Sequence, residues 1–299
     1  MARGHRRRSL DTQGWRYARA LNAHRDRTLT PHPAIADPAR PCDDGRMCGR
    51  YANFLSEQEL IDHFQVAVTA DEPRLFDPSW NIAPTQQVAI IVPGKPDDPG
   101  RRLEAAAWGL VPSWAKDPGI GARMINARSE TIAEKPSFRT AFAKRRCVVP
   151  ASGYFEWQTG PDGKQPFYIH PEDDVPLAFA GLYEFWKDKA LGDDAPWLVT
   201  TTIVTTAARG PMQEIHDRQP VMLTRESLDA WLNRDADQGT LFDVIAAPAP
   251  DLAWHRVRKD VGSPATTPRR TSRRSESTLR AHGEAPRCAR PPSGPTRTR

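Results

Sequence analysis

The sequence predicts an α+β fold, a single domain with a curved, barrel-like, mostly antiparallel sheet and a few flanking helices. Between residues 48 and 261, short apolar runs alternate with turn signals, which is typical of strands. Few segments have helical periodicity. We find no internal repeat of roughly 20 to 50 residues, which excludes a solenoid. Strands therefore outnumber helices, and a sheet organises the core.

Seven apolar runs are predicted as strands, because each is short and bounded by turn residues. In chain order they are Gln87–Val92, Leu103–Trp108, Cys147–Pro150, Gly153–Gln158, Phe167–Ile169, Leu177–Leu182 and Trp197–Val204. We expect Cys147 to be a buried, structural cysteine, since a free cysteine in an apolar strand usually acts as a small hydrophobic residue.

Three segments are predicted as helices. Ser56–Phe64 begins with a serine cap and has Glu59 three residues later, which is a capping-box pattern. Arg225–Leu232 follows Thr224 as its cap. Ile132 to Ala143 also has a helical pattern, broken or restarted at Pro136 because proline lacks the backbone N–H that a helix interior needs.

The basic charge of the chain belongs to its two ends. Residues 1–46 contain ten Arg, five Asp and no Lys, and residues 262–299 contain nine Arg, two Glu and no Lys. Of 42 basic and 37 acidic residues in total, 23 and 30 lie between these ends, a formal net charge of −7. A nucleic-acid site in the core must therefore be a local basic groove.

Both ends are predicted to be disordered, because they lack the apolar periodicity needed to bury a core. We predict a catalytic domain at 47–263, flanked by an Arg-rich extension at 1–46 and an Arg/Pro-rich tail at 264–299. The flanks are either sequence translated from outside the native reading frame or basic tails that tether the protein to nucleic acid. No stretch approaches the ~18 apolar residues of a membrane span, so we expect a soluble protein. We predict that it is cytoplasmic, and nucleoid-associated if it is bacterial.

The segment Met47-Cys48-Gly49-Arg50-Tyr51 places a cysteine where it could become the first residue of a processed chain. A terminal α-amine has a pKa of about 7.7 to 8.0, so part of it is neutral and nucleophilic near pH 7. That amine can form a Schiff base with an aldehyde, and the adjacent thiol can then close a thiazolidine ring. The alternative is that Cys48 is a buried residue beside a strand. Arg50 could place a phosphate.

Two further residues are candidates for proton transfer. Glu156 lies between Tyr154-Phe155 and Trp157, where burial would raise its pKa and suit it to moving a proton. The sequence does not settle which face of the strand it occupies, and a surface position is the alternative. His216 lies in a charged loop and can act as an acid or base near neutral pH, or be an ordinary loop residue.

Other side chains are suited to holding a substrate. Asn126 and Arg128 follow an apolar pair, so an amide could hold a substrate oxygen and a guanidinium could grip a phosphate. A turn capped by Asn126 is the alternative. Trp108 and Trp114 could stack on bases or pack in the core.

Six ordered segments together resemble the SRAP family, the SOS response-associated peptidases or abasic-site processing proteins. They are Met47-Cys48-Gly49-Arg50-Tyr51, Asn81-Ile82-Ala83-Pro84, Trp108-Gly109-Leu110 with Pro112-Ser113-Trp114, Asn126-Ala127-Arg128-Ser129-Glu130-Thr131, Gly153-Tyr154-Phe155-Glu156-Trp157 and His216-Asp217-Arg218. The resemblance covers about residues 47 to 263.

This resemblance implies a covalent thiazolidine between Cys48 and the ring-opened aldehyde of an abasic site in single-stranded DNA. It implies peptidase-like self-processing that exposes the cysteine, and lyase-like Schiff-base chemistry. Asn126 would orient the sugar or the cysteine, while Glu156 and His216 would transfer protons.

The resemblance also implies a set of DNA-binding residues, a DNA-damage response role and no cofactor or metal. The DNA-binding residues are Arg50, Asn81, Pro84, Trp108, Trp114 and Arg128. The partners would be single-stranded DNA with abasic sites and replication-fork proteins, bound by a monomer.

Cys48 is preceded by 47 residues, so its nitrogen is a peptide nitrogen until they are removed. The family also continues into an Asn- and Gly-containing stretch and a final strand, whereas residues 265–270 read Ala-Thr-Thr-Pro-Arg-Arg, consistent with a frameshift. Three other functions stay open: a reversible single-stranded or modified-DNA binding module, an N-terminal-cysteine glutamine amidotransferase, and a thiol peptidase using Cys48 with His216.

Overall fold

The computed structural model describes residues 49–67, 78–95, 97–192 and 194–262, which form an α+β fold of two sheets. The predicted flanks, 1–46 and 264–299, and Cys48 lie outside these residues. The strands are β1 Arg50–Asn53, β2 Ser79–Ile82, β3 Gln87–Val92, β4 Arg102–Trp108, β5 Asn126–Arg128, β6 Arg146–Ala151, β7 Gly153–Gly160, β8 Gly163–Pro171, β9 Leu177–Lys187, β10 Trp197–Ala207, β11 Arg218–Pro220 and β12 Leu252–Arg256.

The second sheet closes on itself. Its order is β11-β10-β4-β3-β6-β9, and β9 pairs back onto β10 along Trp197 to Ile203. This closure makes a five-stranded barrel of β10, β4, β3, β6 and β9. Four of its five pairings are antiparallel, and β10 with β4 is parallel. The predicted barrel-like, mostly antiparallel sheet is confirmed.

The first sheet is antiparallel throughout, in the order β12-β8-β7-β1-β2. Its short strand β1 lies between the edge strand β2 and the central strand β7. The pairings of β1 with β7 are Arg50↔Phe155, Tyr51↔Tyr154 and Ala52↔Gly153. The start of β1 therefore lies beside the middle of β7.

The described helices are α1 Glu57–Phe64, α2 Arg139–Lys144, α3 Arg225–Leu232 and α4 Gln238–Ala246. The capping box at Ser56 is confirmed, since its hydroxyl accepts from the backbone N–H of Glu59 and the Glu59 carboxylate accepts from that of Ser56. Thr224 caps α3 as predicted, with Ser227 as its reciprocal partner. None of the described helices is long and apolar enough to cross a membrane.

The predicted helix from Ile132 to Ala143 is wrong over most of its length. A 3-10 turn spans Ser129–Thr131, further turns follow, and the α-helix begins only at Arg139. Pro136 lies within those turns, where its missing N–H breaks no helical hydrogen bond.

Two apolar clusters form the core. One fills the space between the two sheets and includes Tyr51, Trp108, Tyr154 and Phe179, whose rings meet edge to face. The other packs the helices against the outside of the barrel. Cys147 is 0% exposed, and burial raises the pKa of its thiol to about 12, so its structural role is confirmed.

Candidate functional site

The site begins where the chain enters the fold. Gly49, the first described residue in this part of the chain, is buried, and Cys48 precedes it in sequence. Extending the Arg50↔Phe155 register by one residue places Gly49 opposite Glu156. Connectivity thus brings the residue after Cys48 to the middle of β7.

Glu156 is buried and faces the second sheet. Side chains alternate along a strand, so Glu156 shares a face with Tyr154 and Gln158. The Tyr154 hydroxyl donates to Met212 Sδ at 3.8 Å, and Gln158 Nε2 donates to the Glu214 carbonyl at 2.7 Å. These two contacts bracket Glu156, which is 2% exposed. The surface alternative is therefore excluded, and the carboxyl faces the Gly210–Glu214 turn that precedes His216.

Asn126 opens β5, which pairs in parallel with β10 through Ile203↔Asn126. The preceding carbonyl, of Ile125, accepts a hydrogen bond from the Trp108 indole at 2.9 Å. Because Trp108 is 1% exposed, this bond fixes the backbone just before Asn126. The amide is half-buried at the rim of the core between the sheets.

His216 is held by its backbone and its ring. Its N–H donates to the Met212 carbonyl at 3.0 Å, and Nδ1 accepts from the Arg218 N–H at 3.1 Å. Burial lowers the pKa of His216, while Asp217 acts in the opposite direction. The Asp217 carboxylate is 2.9 Å from the same Nδ1, and it accepts a hydrogen bond whenever Nδ1 carries a proton, in the charged ring or in the neutral Nδ1–H tautomer. The lowered pKa favours the neutral ring at neutral pH.

The C-terminal end of β10 aligns the segments that carry Asn126 and His216. The last residues of β10 pair with β5 through Thr205↔Arg128 and with β11 through Ala207↔Arg218. Since neighbouring strands lie about 4.8 Å apart, β5 and β11 are about 10 Å apart across β10. Asn126 and His216 therefore belong to the same end of the barrel.

An ion pair connects the turn after β5 to β11. The Arg218 guanidinium grips the Glu130 carboxylate through both of its oxygens and donates to the Thr205 carbonyl at 2.9 Å. The hydrogen bond from Arg218 lowers the pKa of Glu130. Both residues lie in the motif segments, but neither was predicted to have a role, because no local pattern pairs residues 88 positions apart.

With this geometry in place, comparison with known proteins decides the family. The family model described as SOS response associated peptidase (SRAP) matches residues 47–264. The chain belongs to the SRAP family. The resemblance drawn from six sequence segments is thus confirmed.

Individual SRAP relatives agree. The abasic site processing protein YoqW of Bacillus subtilis is 38% identical over 221 residues, covering 73% of this chain and 95% of the relative. The abasic site processing protein YedK of Escherichia coli is 30% identical over 224 residues, again covering 73% of this chain and 95% of the relative. An X-ray structure from Bacteroides thetaiotaomicron is similar with a TM-score of 0.63 and 27% identity, covering 71% of this chain and 93% of that one.

The residues predicted to bind DNA in this SRAP chain are not all gathered at one surface. Arg50 alternates to the opposite face of β1 from Tyr51, is 4% exposed and donates to the Gly262 carbonyl at 2.9 Å. Asn81 is equally buried and donates to the Val261 carbonyl at 3.2 Å. Both side chains hold the last described turn against β1 and β2, and a DNA contact by either stays a prediction.

The remaining four differ in accessibility. Trp108 packs in the core, so a base cannot stack on it in this conformation. Trp114 is 56% exposed and Arg128 is exposed beside Asn126, so both are accessible to a strand of DNA. Pro84 is half-buried. Among the described residues, no group of three His, Cys, Asp or Glu side chains is placed to hold a metal.

The buried ring of His216 predicts a pH effect on stability. Its native pKa is lowered, so the unfolded chain takes up the proton first as the pH falls below about 6.5. Stability contributed by the neutral ring is present above that pH and is lost as the pH falls towards the native pKa. We expect the unfolding free energy to fall more steeply from about pH 7 to about pH 5 in the parent than in His216→Gln. Urea titrations across this range measure both slopes, and equal slopes would contradict the assigned burial.

Proposed function

We propose that this chain recognises abasic sites in single-stranded DNA and joins itself to them through a thiazolidine formed by Cys48. The relatives named abasic site processing proteins support the substrate. The observation that carries the proposal is the buried Glu156, opposite the residue that follows Cys48 and facing the His216 loop.

The chemistry needs an amine, a thiol and two proton transfers. The Cys48 amine attacks the aldehyde carbon of the ring-opened sugar, giving a carbinolamine. Protonation of its hydroxyl releases water and leaves an imine. The thiolate then adds to the imine carbon while the nitrogen gains a proton, so the net change is the loss of one water.

Glu156 and His216 suit the proton transfers. A buried carboxyl can protonate the departing hydroxyl, and a ring that is neutral near pH 7 can accept a proton from the thiol. Asn126, at the neighbouring strand end, holds the sugar hydroxyl or the cysteine.

The α-amine exists only after residues 1–47 are removed, and we propose that peptidase-like self-processing removes them. While the extension remains, the same site can bind DNA only reversibly, since a peptide nitrogen forms no imine. Processing would thus convert a reversible DNA-binding module into a crosslinking one.

The test uses single-stranded DNA with one abasic site and the variant Cys48→Ala. We expect the processed parent, which begins at Cys48, to form an adduct that survives heat and denaturant, and Cys48→Ala with the same start to form none. Cys147→Ala is the matched control, because Cys147 is buried and should leave the adduct unchanged. Adducts in Cys48→Ala, or purely salt-reversible binding by the processed parent, would overturn the proposal.

A further inference from the structure

A groove lies at the opposite end of β10 from the candidate site. It has a volume of about 670 Å³ and is lined by Ser113, Trp114, Phe185, Lys187, Lys189, Gly192 and Trp197. We call it the aromatic groove. Of these residues only Trp114 was predicted to contact DNA, so four large side chains of the lining have no assigned role.

The walls of the aromatic groove are held in place. Lys187 pairs with Trp197 across β9 and β10, and its Nζ lies 5.6 Å from the centre of the Trp197 ring. Phe185 meets the same ring edge to face, at 6.4 Å between centres. On the other side, the Trp186 indole donates to the Ala115 carbonyl at 2.7 Å, which fixes the loop that presents Trp114.

This lining suits a nucleotide. Aromatic faces stack on any base, and lysines pair with phosphates. The lining contains two lysines and no acidic residue, although residues 47–261 carry a formal net charge of −7. A positive groove in an acidic domain is complementary to a polyanion.

The distance along β10 sets the spacing between groove and site. Trp197 lies six residues before Ile203, the partner of Asn126, and at about 3.3 Å per residue this is roughly 20 Å. A stacked strand rises about 3.4 Å per nucleotide, so at most about six nucleotides bridge that distance. We propose that the aromatic groove binds an unpaired nucleotide of the damaged strand, up to about six nucleotides from the abasic site. This inference rests on the proposed function.

Equilibrium binding of the full chain to strands carrying a tetrahydrofuran abasic analogue, which has no aldehyde, tests the groove without crosslinking. The short strand has about two nucleotides on each side of the lesion. The two extended strands have about eight more nucleotides, one strand on its 5′ side and the other on its 3′ side. We expect one extension to tighten binding in the parent and Lys187→Ala/Lys189→Ala to abolish that gain. The salt slope is the dependence of the logarithm of the binding constant on the logarithm of the salt concentration. For that strand the variant should reduce its magnitude by about 1.4, since each of the two lysines would lose a single-strand phosphate contact that contributes about 0.7.

Trp197→Ala tests stacking independently of charge, and we expect it to weaken the affinity for the extended strand by about five-fold or more. Matched controls are Lys144→Ala and Trp254→Ala, an exposed lysine and an exposed tryptophan outside the groove. If the lysine variant keeps the parent's salt slope and extension gain, the groove is not a DNA site.

A separate reaction tells the two proposals apart. The short strand with a true aldehyde should crosslink equally well to the parent and to Lys187→Ala/Lys189→Ala when both chains are made to begin at residue 48. No adduct with either protein rejects the crosslinking function, whereas normal adducts with an unchanged extension gain reject only the groove.

Discussion

Glu156→Gln is expected to slow formation of the DNA adduct by about 100-fold or more, the range of a lost general acid or base. The amide has nearly the same size and keeps a hydrogen-bonding oxygen, but it cannot give up and regain a proton at neutral pH. Glu156 is 2% exposed between the contacts of Tyr154 and Gln158, so bulk water does not readily replace it. Single-turnover rates with an excess of protein over abasic DNA measure the effect.

The matched control is Glu214→Gln, an exposed glutamate in the turn that Glu156 faces. It should crosslink at the parent rate. Near-ultraviolet circular dichroism should be unchanged for both variants, which separates lost chemistry from lost packing. A parent-like rate in Glu156→Gln would show that this carboxyl moves no proton in the slow step.

Arg146→Met is expected to lower the unfolding free energy by about 3 to 5 kcal/mol. Arg146 is 2% exposed, and its guanidinium donates to four backbone carbonyls at the ends of α2 and α3. Methionine fills similar space but leaves those carbonyls buried without their donors. Urea unfolding of both proteins measures the difference, read from the midpoint at constant slope.

Arg139→Met controls for the loss of charge, because Arg139 is exposed in the first turn of the same helix, α2. We expect this change to stay within about 0.5 kcal/mol of the parent. A loss of less than about 1 kcal/mol in Arg146→Met would mean that water satisfies the carbonyls once the guanidinium is gone.

The longer strands could be predicted because their signal is local. Gln87–Val92 was predicted with its observed bounds, and the other six predictions lie inside observed strands. The strands missed include β5 and β11, each of three residues, which are too short to show an alternating pattern. They exist only because the end of β10 offers them backbone partners.

The residue types of the site could be predicted, but their arrangement could not. An aromatic setting suggested burial for Glu156, and only the contacts of Tyr154 and Gln158, on the same face of β7, show which face it occupies. Arg50 lies close to Cys48 in sequence, yet its pairing with Phe155 puts it on the opposite face of the sheet from Glu156, where it donates to the Gly262 carbonyl. α4 was missed although Asp237 caps it through the Thr240 N–H, a signal that the sequence does contain.

Thiazolidine formation at Cys48 is tested most directly by intact-mass spectrometry on a chain made to begin at Cys48, after reaction with single-stranded DNA carrying one abasic site. We expect one product, with the combined mass of protein and DNA less one water and with the DNA mapped to the peptide that begins at Cys48. A chain that keeps the residues before Cys48 should give no such product. An adduct that forms equally well with the extension in place, or that maps to a lysine, would contradict thiazolidine formation at Cys48.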